Sequence, residues 1–294
     1  MGGKSPPSVS SGGDGALGVR GAGFEVLFSY GEGGPASLCV GGREWLWRAP
    51  RPAYWRAPTE NDLGNRFAVQ SSIWAAVDGW QTCEKWEVLA QSPEQVSVRF
   101  LYAAPAMPGL GTEVTYTVDG TTGRMIVSAQ YRGEKGRPGL PLFGLRFATP
   151  EPVERVEWLG LSGETYPDRK RGGVFGWHRE TPHIPAYLVP QECGCHMDTH
   201  AVLLHGAGAG PLKLERTEAP FAFSAIPYTP QQLEQAAHRE ELPRPTRTVV
   251  TVCGAMRGVG GIDSWQTDVE EAYHVSGEED HTLSFAIRLT DTER

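Results

Sequence analysis

Four residues of metal-binding types lie close together in one segment of the chain: Cys193, Cys195, His196 and His200. Thiolate and imidazole groups are ligands that suit zinc. The Cys-x-Cys spacing is shorter than the separation of about two to four residues that is usual in structural zinc sites. A turn with incidental thiols is the favoured interpretation. We therefore predict no metal here, with a zinc site as the alternative.

Tryptophan is the other chemically informative residue type, since the chain has nine of them. The flat indole face suits both a β-rich core and stacking against a sugar ring. Core packing is the default expectation for most of the nine.

The elements that position these residues are predicted mainly as β-strands, because apolar and polar residues alternate along most of the chain. The alternating segments are residues 24–30, 96–102, 113–118, 125–131, 142–147, 156–159, 201–204, 212–214, 249–252 and 283–289. No strand–helix–strand rhythm is present, which argues against a doubly wound sheet or a (β/α)₈ barrel. The pattern predicts an all-β fold, a large antiparallel sandwich with one or two short helices.

Two segments carry helical signals. Thr229 and Gln232 form a capping-box pair around Pro230 at the first helical position, which predicts a helix that runs to about Glu241. A weaker apolar face predicts a second helix within residues 67–77.

Composition excludes several classes of protein. The formal net charge of −8 argues against a nucleic-acid partner, and no apolar run is long enough for a membrane span. Residues 1–18 are rich in Gly, Ser and Pro and predict a flexible leader, followed by one domain over residues 19–294. Five cysteines scattered over so large a domain do not indicate a disulfide framework, and we expect a cytoplasmic protein.

Four ordered motifs resemble family 2 β-galactosidases. The motifs are WRAPTENDLG at residues 55–64, GETYPDR at 163–169, FSAIPYTPQQL at 223–233 followed by His238, and GVGGIDSW at 258–265. Together they place nearly the whole chain beyond the leader in the C-terminal domain of that family.

The resemblance implies a supersandwich fold akin to aldose mutarotases, which packs against a separate (β/α)₈ barrel chain. Some members of the family consist of a large and a small chain, and this chain resembles the small one. It is then part of a β-galactosidase that hydrolyses terminal β-galactosides with retention, and it has no activity alone. The two catalytic glutamates belong to the barrel in this family, so we expect no catalytic residue and no cofactor here. Magnesium and sodium are possible in the large chain.

The matching tryptophan of the family reaches into the barrel's pocket, so the resemblance assigns substrate binding to Trp265. The family often has an acidic residue at the position of Ile262, which leaves Asp263 alone before Ser264. If the lost carboxylate fixes the turn, the position of Trp265 differs here.

The loop that begins with the first motif borders the active site in the family. The resemblance therefore implies a pocket-bordering or gating role for Arg56, Glu60, Asn61, Asp62 and Gly64, and we expect Gly64 to adopt a positive φ. The structural alternative is that Arg56 pairs with a carboxylate and that Asn61 and Asp62 form an Asx-type turn.

Other polar residues have plainer interpretations. The carboxylate pairs Glu60 with Asp62 and Glu270 with Glu271 are expected to be solvated loop charges, not a catalytic dyad, which requires carboxyl groups ~5–5.5 Å apart. Tyr166, Asp168 and Arg169 are expected to be architectural, through an Arg–carboxylate pair and a packed tyrosine. His238 is expected to cap or pack the helix.

Two other functions stay open. A stand-alone aldose epimerase needs a general acid and a general base, for which His178, His183 and Glu192 are the candidates. A carbohydrate-binding module needs only aromatic stacking. Faster mutarotation with the chain alone indicates the first of these, and sugar binding without chemistry indicates the second.

Overall fold

The computed structural model describes residues 8–11, 15–208, 210–263 and 267–290. The strands, numbered along the chain, are β1 (Ser8–Ser11), β2 (Ala16–Gly21), β3 (Phe24–Ser29), β4 (Gly34–Val40), β5 (Arg43–Glu44), β6 (Arg51–Ala53), β7 (Thr82–Gln91), β8 (Gln95–Ala104), β9 (Met107–Asp119), β10 (Arg124–Tyr131), β11 (Leu142–Ala148), β12 (Arg155–Leu161), β13 (Phe175–Glu180), β14 (Cys195–Thr199), β15 (Ala201–His205), β16 (Leu212–Arg216), β17 (Phe221–Ile226), β18 (Val249–Met256) and β19 (His281–Arg288). The α-helices of the described residues are α1 (Glu60–Gly64), α2 (Phe67–Gln70), α3 (Ile73–Trp80) and α4 (Pro230–Gln235), and 3₁₀ turns span Arg239–Glu241 and Glu271–Tyr273.

The strands form three antiparallel sheets. A small sheet has the order β1-β2-β3-β4-β5, the largest has the order β13-β12-β15-β16-β19-β10-β9-β8-β7, and the third has the order β14-β17-β18-β11-β6. The predicted large antiparallel sandwich is confirmed, and each of the ten predicted strand segments lies in or overlaps one of these strands.

The main core lies between the nine-stranded sheet and the sheet that contains β11. Met125 and Val127 from β10 line the same narrow internal space as Leu145 and Phe147 from β11. The period-two alternation of each strand explains this arrangement. Tyr116 on β9 pairs in register with Val127 on β10, and both side chains are buried, while the residues before and after them in each strand face the other side of the sheet. Period-two patterning therefore decides which face of each sheet is covered.

The helices differ in extent from the predictions. Both capping-box hydrogen bonds of Thr229 and Gln232 are present, but α4 ends at Gln235 because Ala236 takes an extended conformation. The continuation to Glu241 is therefore wrong, and only a 3₁₀ turn forms there. Residues 67–77 are divided between α2 and α3. The described residues therefore form four α-helices and not one or two, because the second predicted helix is divided and α1 is additional.

The predicted leader is partly structured. Strand β1 pairs with β2 from Ser8↔Arg20 to Ser11↔Leu17, so residues 8–11 and 16–18 belong to the small sheet. Across the part of the chain that the structure describes, no helix is long and apolar enough to cross a membrane.

Candidate functional site

The second half of the first motif, residues 60–64, forms helix α1 and not an open loop. The hydroxyl of Thr59 accepts a hydrogen bond from the Asp62 amide (3.1 Å), and the Asp62 carboxylate accepts one from the Thr59 amide (2.9 Å). This reciprocal capping box satisfies two of the free amides at a helix start. The expectation for Gly64 is wrong, because Gly64 is the last helical residue and the left-handed residue is Arg66, with φ 66°.

Arg56 and Asp62 form a buried ion pair beneath this helix. Their side chains are 1% and 5% exposed, and Nη2 of Arg56 lies 3.1 Å from Oδ1 of Asp62. The same Nη2 donates to the Gly258 carbonyl at 3.1 Å. Asp62 is therefore not a solvated loop charge, whereas Glu60 and Asn61 are exposed. The charge-assisted hydrogen bond between the two side chains offsets part of the cost of burial, while Nε and Nη1 of Arg56 have no hydrogen-bond partner among the described residues.

Helix α1 and the residue that follows it are tied to the fourth motif and to the residues around it. The side-chain amide of Asn61 donates to the Val259 carbonyl at 3.0 Å, and that of Asn65 donates to the Asp268 carboxylate at 2.8 Å. Arg257 also pairs with Asp268. Helix α1 and the glycine-rich segment 258–263 are thus one structural unit, although they are about 200 residues apart in the chain.

The second motif holds the other side of segment 258–263. The Asp168 carboxylate accepts hydrogen bonds from the amides of Val259 (3.1 Å) and Gly260 (2.8 Å). A Cβ at Gly260 would lie 2.6 Å from Oδ2 of Asp168, so this close approach of the backbone requires glycine. Asp168 therefore has the expected architectural role.

A cavity of about 340 Å³ opens where these segments meet. Its lining consists of Asp168, Arg169, Arg171, Gly260, Gly261, Ile262, Val269, Glu270 and Tyr273. Next to it, the hydroxyl of Thr267 donates to the carboxylate of Asp263 at 2.9 Å. Asp263 therefore connects the residues on either side of segment 264–266, without the second acidic residue that the resemblance suggests at position 262. Trp265 itself lies outside the described residues.

Behind the site lies a second ionisable group, Glu192. Burial raises the pKa of its carboxyl to about 7, although Arg56 and Arg146 oppose that rise. The hydroxyl of Tyr166 donates to the Glu192 carboxylate at 3.3 Å, and the residue faces an internal space of only about 10 Å³. Glu192 is half-buried as a whole, and the small space that it faces leaves little room for water, so burial outweighs the neighbouring cations.

We expect the stability of the protein to fall between pH 5 and pH 8 because of Glu192. Its pKa is raised from 4.5 in the unfolded chain, so its favourable contribution is complete below pH 4.5 and is lost as pH rises through about 7. The loss amounts to about 3 kcal/mol, at roughly 1.4 kcal/mol per pKa unit. Glu192→Gln keeps an acceptor for Tyr166 and should be the more stable protein at pH 8. Urea unfolding at several pH values measures this.

The matched control is Glu154→Gln, because Glu154 is exposed. Its unfolding midpoint should follow that of the parent protein across the same pH range. Parallel curves for the parent and Glu192→Gln would refute the assignment to Glu192.

The Cys- and His-rich segment is mostly buried and has other partners. Burial raises the pKa of the Cys193 and Cys195 thiols, which keeps them neutral, whereas zinc binds thiolates. His196 donates from Nδ1 to the Gly163 carbonyl at 2.8 Å, and its Nε2 contacts Glu180 at 3.2 Å. Among the described residues, no group of three or more His, Cys, Asp or Glu side chains is arranged to hold a metal ion.

The candidates for an epimerase are not brought together as an acid–base pair. His178 contacts the Val174 carbonyl from edge strand β13, and His183 is exposed and contacts the Thr181 carbonyl. Neither histidine lines the internal space that Glu192 faces. His238 lies beyond α4 and pairs with Glu241 at 3.3 Å, so it does not cap or pack that helix.

Comparison with known proteins identifies the family. Residues 20–289 match the model of the beta galactosidase small chain. The chain belongs to the β-galactosidase small-chain family. This small chain is 44% identical to the beta-galactosidase small subunit of Latilactobacillus sakei, with 94% of the chain and 96% of that protein covered. It is 35% identical to a beta-galactosidase of Halalkalibacterium halodurans, with 94% of the chain but 28% of that protein covered.

Among solved structures, the small chain resembles a galactose mutarotase-like protein from Lactobacillus casei, with a TM-score of 0.48 and 11% identity. The match covers 93% of this chain and 99% of that one. The prediction from the sequence motifs, a β-galactosidase small chain, is confirmed by the family match.

Proposed function

We propose that this small chain completes the sugar pocket of a separate barrel-bearing chain, which hydrolyses terminal β-galactosides with retention. The observation that carries this proposal is the match over nearly the full length of the Latilactobacillus sakei small subunit. The same sequence corresponds to about a quarter of the beta-galactosidase from Halalkalibacterium halodurans. The test is the β-galactosidase activity of each chain alone and of the two chains mixed.

The chemistry of retaining hydrolysis supports placing the catalytic groups in the barrel chain and not in the small chain. Retaining hydrolysis needs a nucleophilic carboxylate and a carboxylic acid ~5–5.5 Å apart. In the candidate site Asp62 is committed to Arg56, while Glu60 is exposed on α1. We therefore assign both catalytic carboxyl groups, and any magnesium or sodium, to the barrel chain.

The face that carries α1 and segment 258–263 is the proposed wall of the pocket. Glu60 and Asn61 are exposed there, and so are the apolar side chains of Leu63 (59%) and Ile262 (63%). Exposed apolar groups next to polar ones are typical of a surface that another chain covers. Because Asp168 and Arg56 fix the backbone beneath, this wall keeps its shape before the chains associate.

We also place the enzyme in the cytoplasm. All five cysteines are free thiols, and Cys193, Cys195 and Cys253 are buried in the core. Free thiols in such numbers are typical of proteins from reducing compartments.

Trp265→Leu should weaken substrate binding in the assembled enzyme. An indole that covers the apolar face of a galactoside removes area from water at ~25 cal/mol per Å², so losing it costs on the order of 1–3 kcal/mol. We expect the KM for a chromogenic galactoside to rise about tenfold, at 1.4 kcal/mol per factor of ten. Steady-state kinetics of the reconstituted complex measures it.

Trp80→Leu is the control, because Trp80 is 72% exposed on α3. It should leave KM unchanged. A drop in melting temperature or failed assembly for Trp265→Leu, with KM preserved in the surviving complex, would make Trp265 a packing residue.

A further inference from the structure

A second cavity, of about 350 Å³, lies near the start of β6 and contains an unusual concentration of arginines. The arginine cavity is lined by Arg48, Arg51, Arg146, Arg244 and Arg247 together with apolar walls from Trp47, Pro227, Tyr228 and Pro245. Asp78 is the single acidic residue in its described lining. The chain as a whole is acidic, with a formal net charge of −8, so this positive patch is a local feature.

Asp78 does not neutralise the cavity, because it is already fully engaged. Both of its oxygens accept hydrogen bonds from Nη1 of Arg146, at 3.1 and 2.9 Å. Its Oδ1 also accepts from the amides of Tyr54 and Trp55. This aspartate therefore belongs to the floor of the cavity, where Arg146 is its ion-pair partner.

The other four guanidinium groups have no carboxylate within 4.0 Å in the part of the chain that the structure describes. Arg51 has a long contact with the Gln81 carbonyl (3.4 Å), and Arg247 has one with the Thr246 hydroxyl (3.4 Å). The buried Nε of Arg247 has no hydrogen-bond partner there. Such a buried donor is costly unless a ligand satisfies it.

The electrostatics of the arginine cavity also indicate an excess of positive charge. Partial burial lowers the pKa of the Arg48 guanidinium, the positive charges of Arg51, Arg146 and Arg247 lower it further, and the nearby Asp78 opposes the shift. Arg247 also lies over the ring of Trp47, 3.8 Å from the ring centroid, which holds its planar group at the cavity wall. Charges gathered at this density repel one another and favour a bound anion.

We propose that the arginine cavity binds an oxyanion, a phosphate or carboxylate group carried by a small molecule. Guanidinium groups match such anions because their planar fork donates two parallel hydrogen bonds. The volume lies near the lower limit of small-molecule sites, so the ligand is of the size of a phosphorylated monosaccharide or smaller. Half-exposed Trp47 and the two prolines offer apolar surface for the rest of such a molecule.

The floor of this cavity is shared with the candidate site. Arg146 donates from Nη2 to the Trp55 carbonyl at 2.6 Å, and Asp78 accepts from the Trp55 amide at 3.1 Å. Trp55 precedes Arg56, which anchors α1 to segment 258–263. The arginine cavity and the candidate site therefore meet at Trp55, directly before the residue that anchors α1.

The test uses the isolated small chain, so its outcome does not depend on the barrel chain. Inorganic phosphate, glucose 6-phosphate and citrate are titrated at constant ionic strength, with chloride and glucose as references. We expect a saturable rise in melting temperature and saturable heat by calorimetry for at least one of the three anions. Comparing the three shows whether phosphate alone, an organic phosphate or a carboxylate is preferred.

Arg48→Gln combined with Arg247→Gln should weaken that binding at least tenfold. Arg179→Gln is the matched control, because Arg179 is exposed on edge strand β13, away from the arginine cavity, and should bind as the parent does. A linear, non-saturating response shared by all variants would indicate only a general salt effect and overturn the proposal. A second outcome would also overturn the proposal. If no small anion binds the parent protein and the double variant no longer associates with the barrel chain, the cavity is a protein-docking surface.

Discussion

A chromogenic galactoside incubated with the purified small chain alone is expected to remain intact, and addition of the barrel-bearing chain is expected to start its hydrolysis. The reason is that the two carboxyl groups of a retaining mechanism are assigned to the barrel. Since enzymes typically accelerate such reactions by at least about 10⁶-fold, the mixture should exceed the small chain alone by several orders of magnitude. The proteins are produced in a host that lacks β-galactosidase, and the rate is followed by the released chromophore.

Two controls separate this result from the alternative functions. The rate of galactose mutarotation with the small chain alone tests an epimerase, and sugar binding without either activity tests a carbohydrate-binding module. Turnover of the galactoside by the small chain alone, at an ordinary enzymatic rate, would refute the proposed function. Because phosphate binding to the arginine cavity is measured without the barrel chain, the two proposals can fail independently.

The parts of the fold that follow from local patterns were predictable. Alternation placed the strands, and the Thr229 capping box placed the start of α4. A similar signal was present at Thr59 and Asp62, where a hydroxyl residue is followed three positions later by an acid, and it would have revealed α1. Local sequence therefore contained more of the site than was inferred from it.

The long-range part of the site was not predictable in the same way. The sequence offers Arg56 as the partner of a carboxylate, but it does not show that Arg56 also reaches the Gly258 carbonyl, or that Glu192 faces a space too small for much water. Asp78 was missed for the same reason, because its partners Tyr54, Trp55 and Arg146 come from other elements. Burial of a charge is a property of the assembled sheets, and composition gives no sign of it.

Arg56→Met is expected to be among the most destabilising single changes in this small chain. It leaves the Asp62 carboxylate buried without its cation, and breaking a buried pair in this way costs about 3–5 kcal/mol. Arg20→Met is the control, because Arg20 and Glu25 form an ion pair whose side chains are 66% and 58% exposed. Exposed pairs contribute about 0–1 kcal/mol, so the unfolding midpoint in urea should change little.

The double variant Arg56→Met with Asp62→Asn shows whether the buried pair itself is responsible. The introduced side-chain amide can still accept the hydrogen bond from the Thr59 amide but carries no charge, so the double variant should be more stable than Arg56→Met alone. The effect should also depend on pH, because Arg56 lowers the pKa of Glu192 and its loss makes ionised Glu192 less favourable. Arg56→Met should therefore be more damaging at pH 8 than at pH 5, where Glu192 is protonated with or without Arg56. A cost equal to that of Arg20→Met at both pH values would show that the buried pair does not hold α1 against segment 258–263.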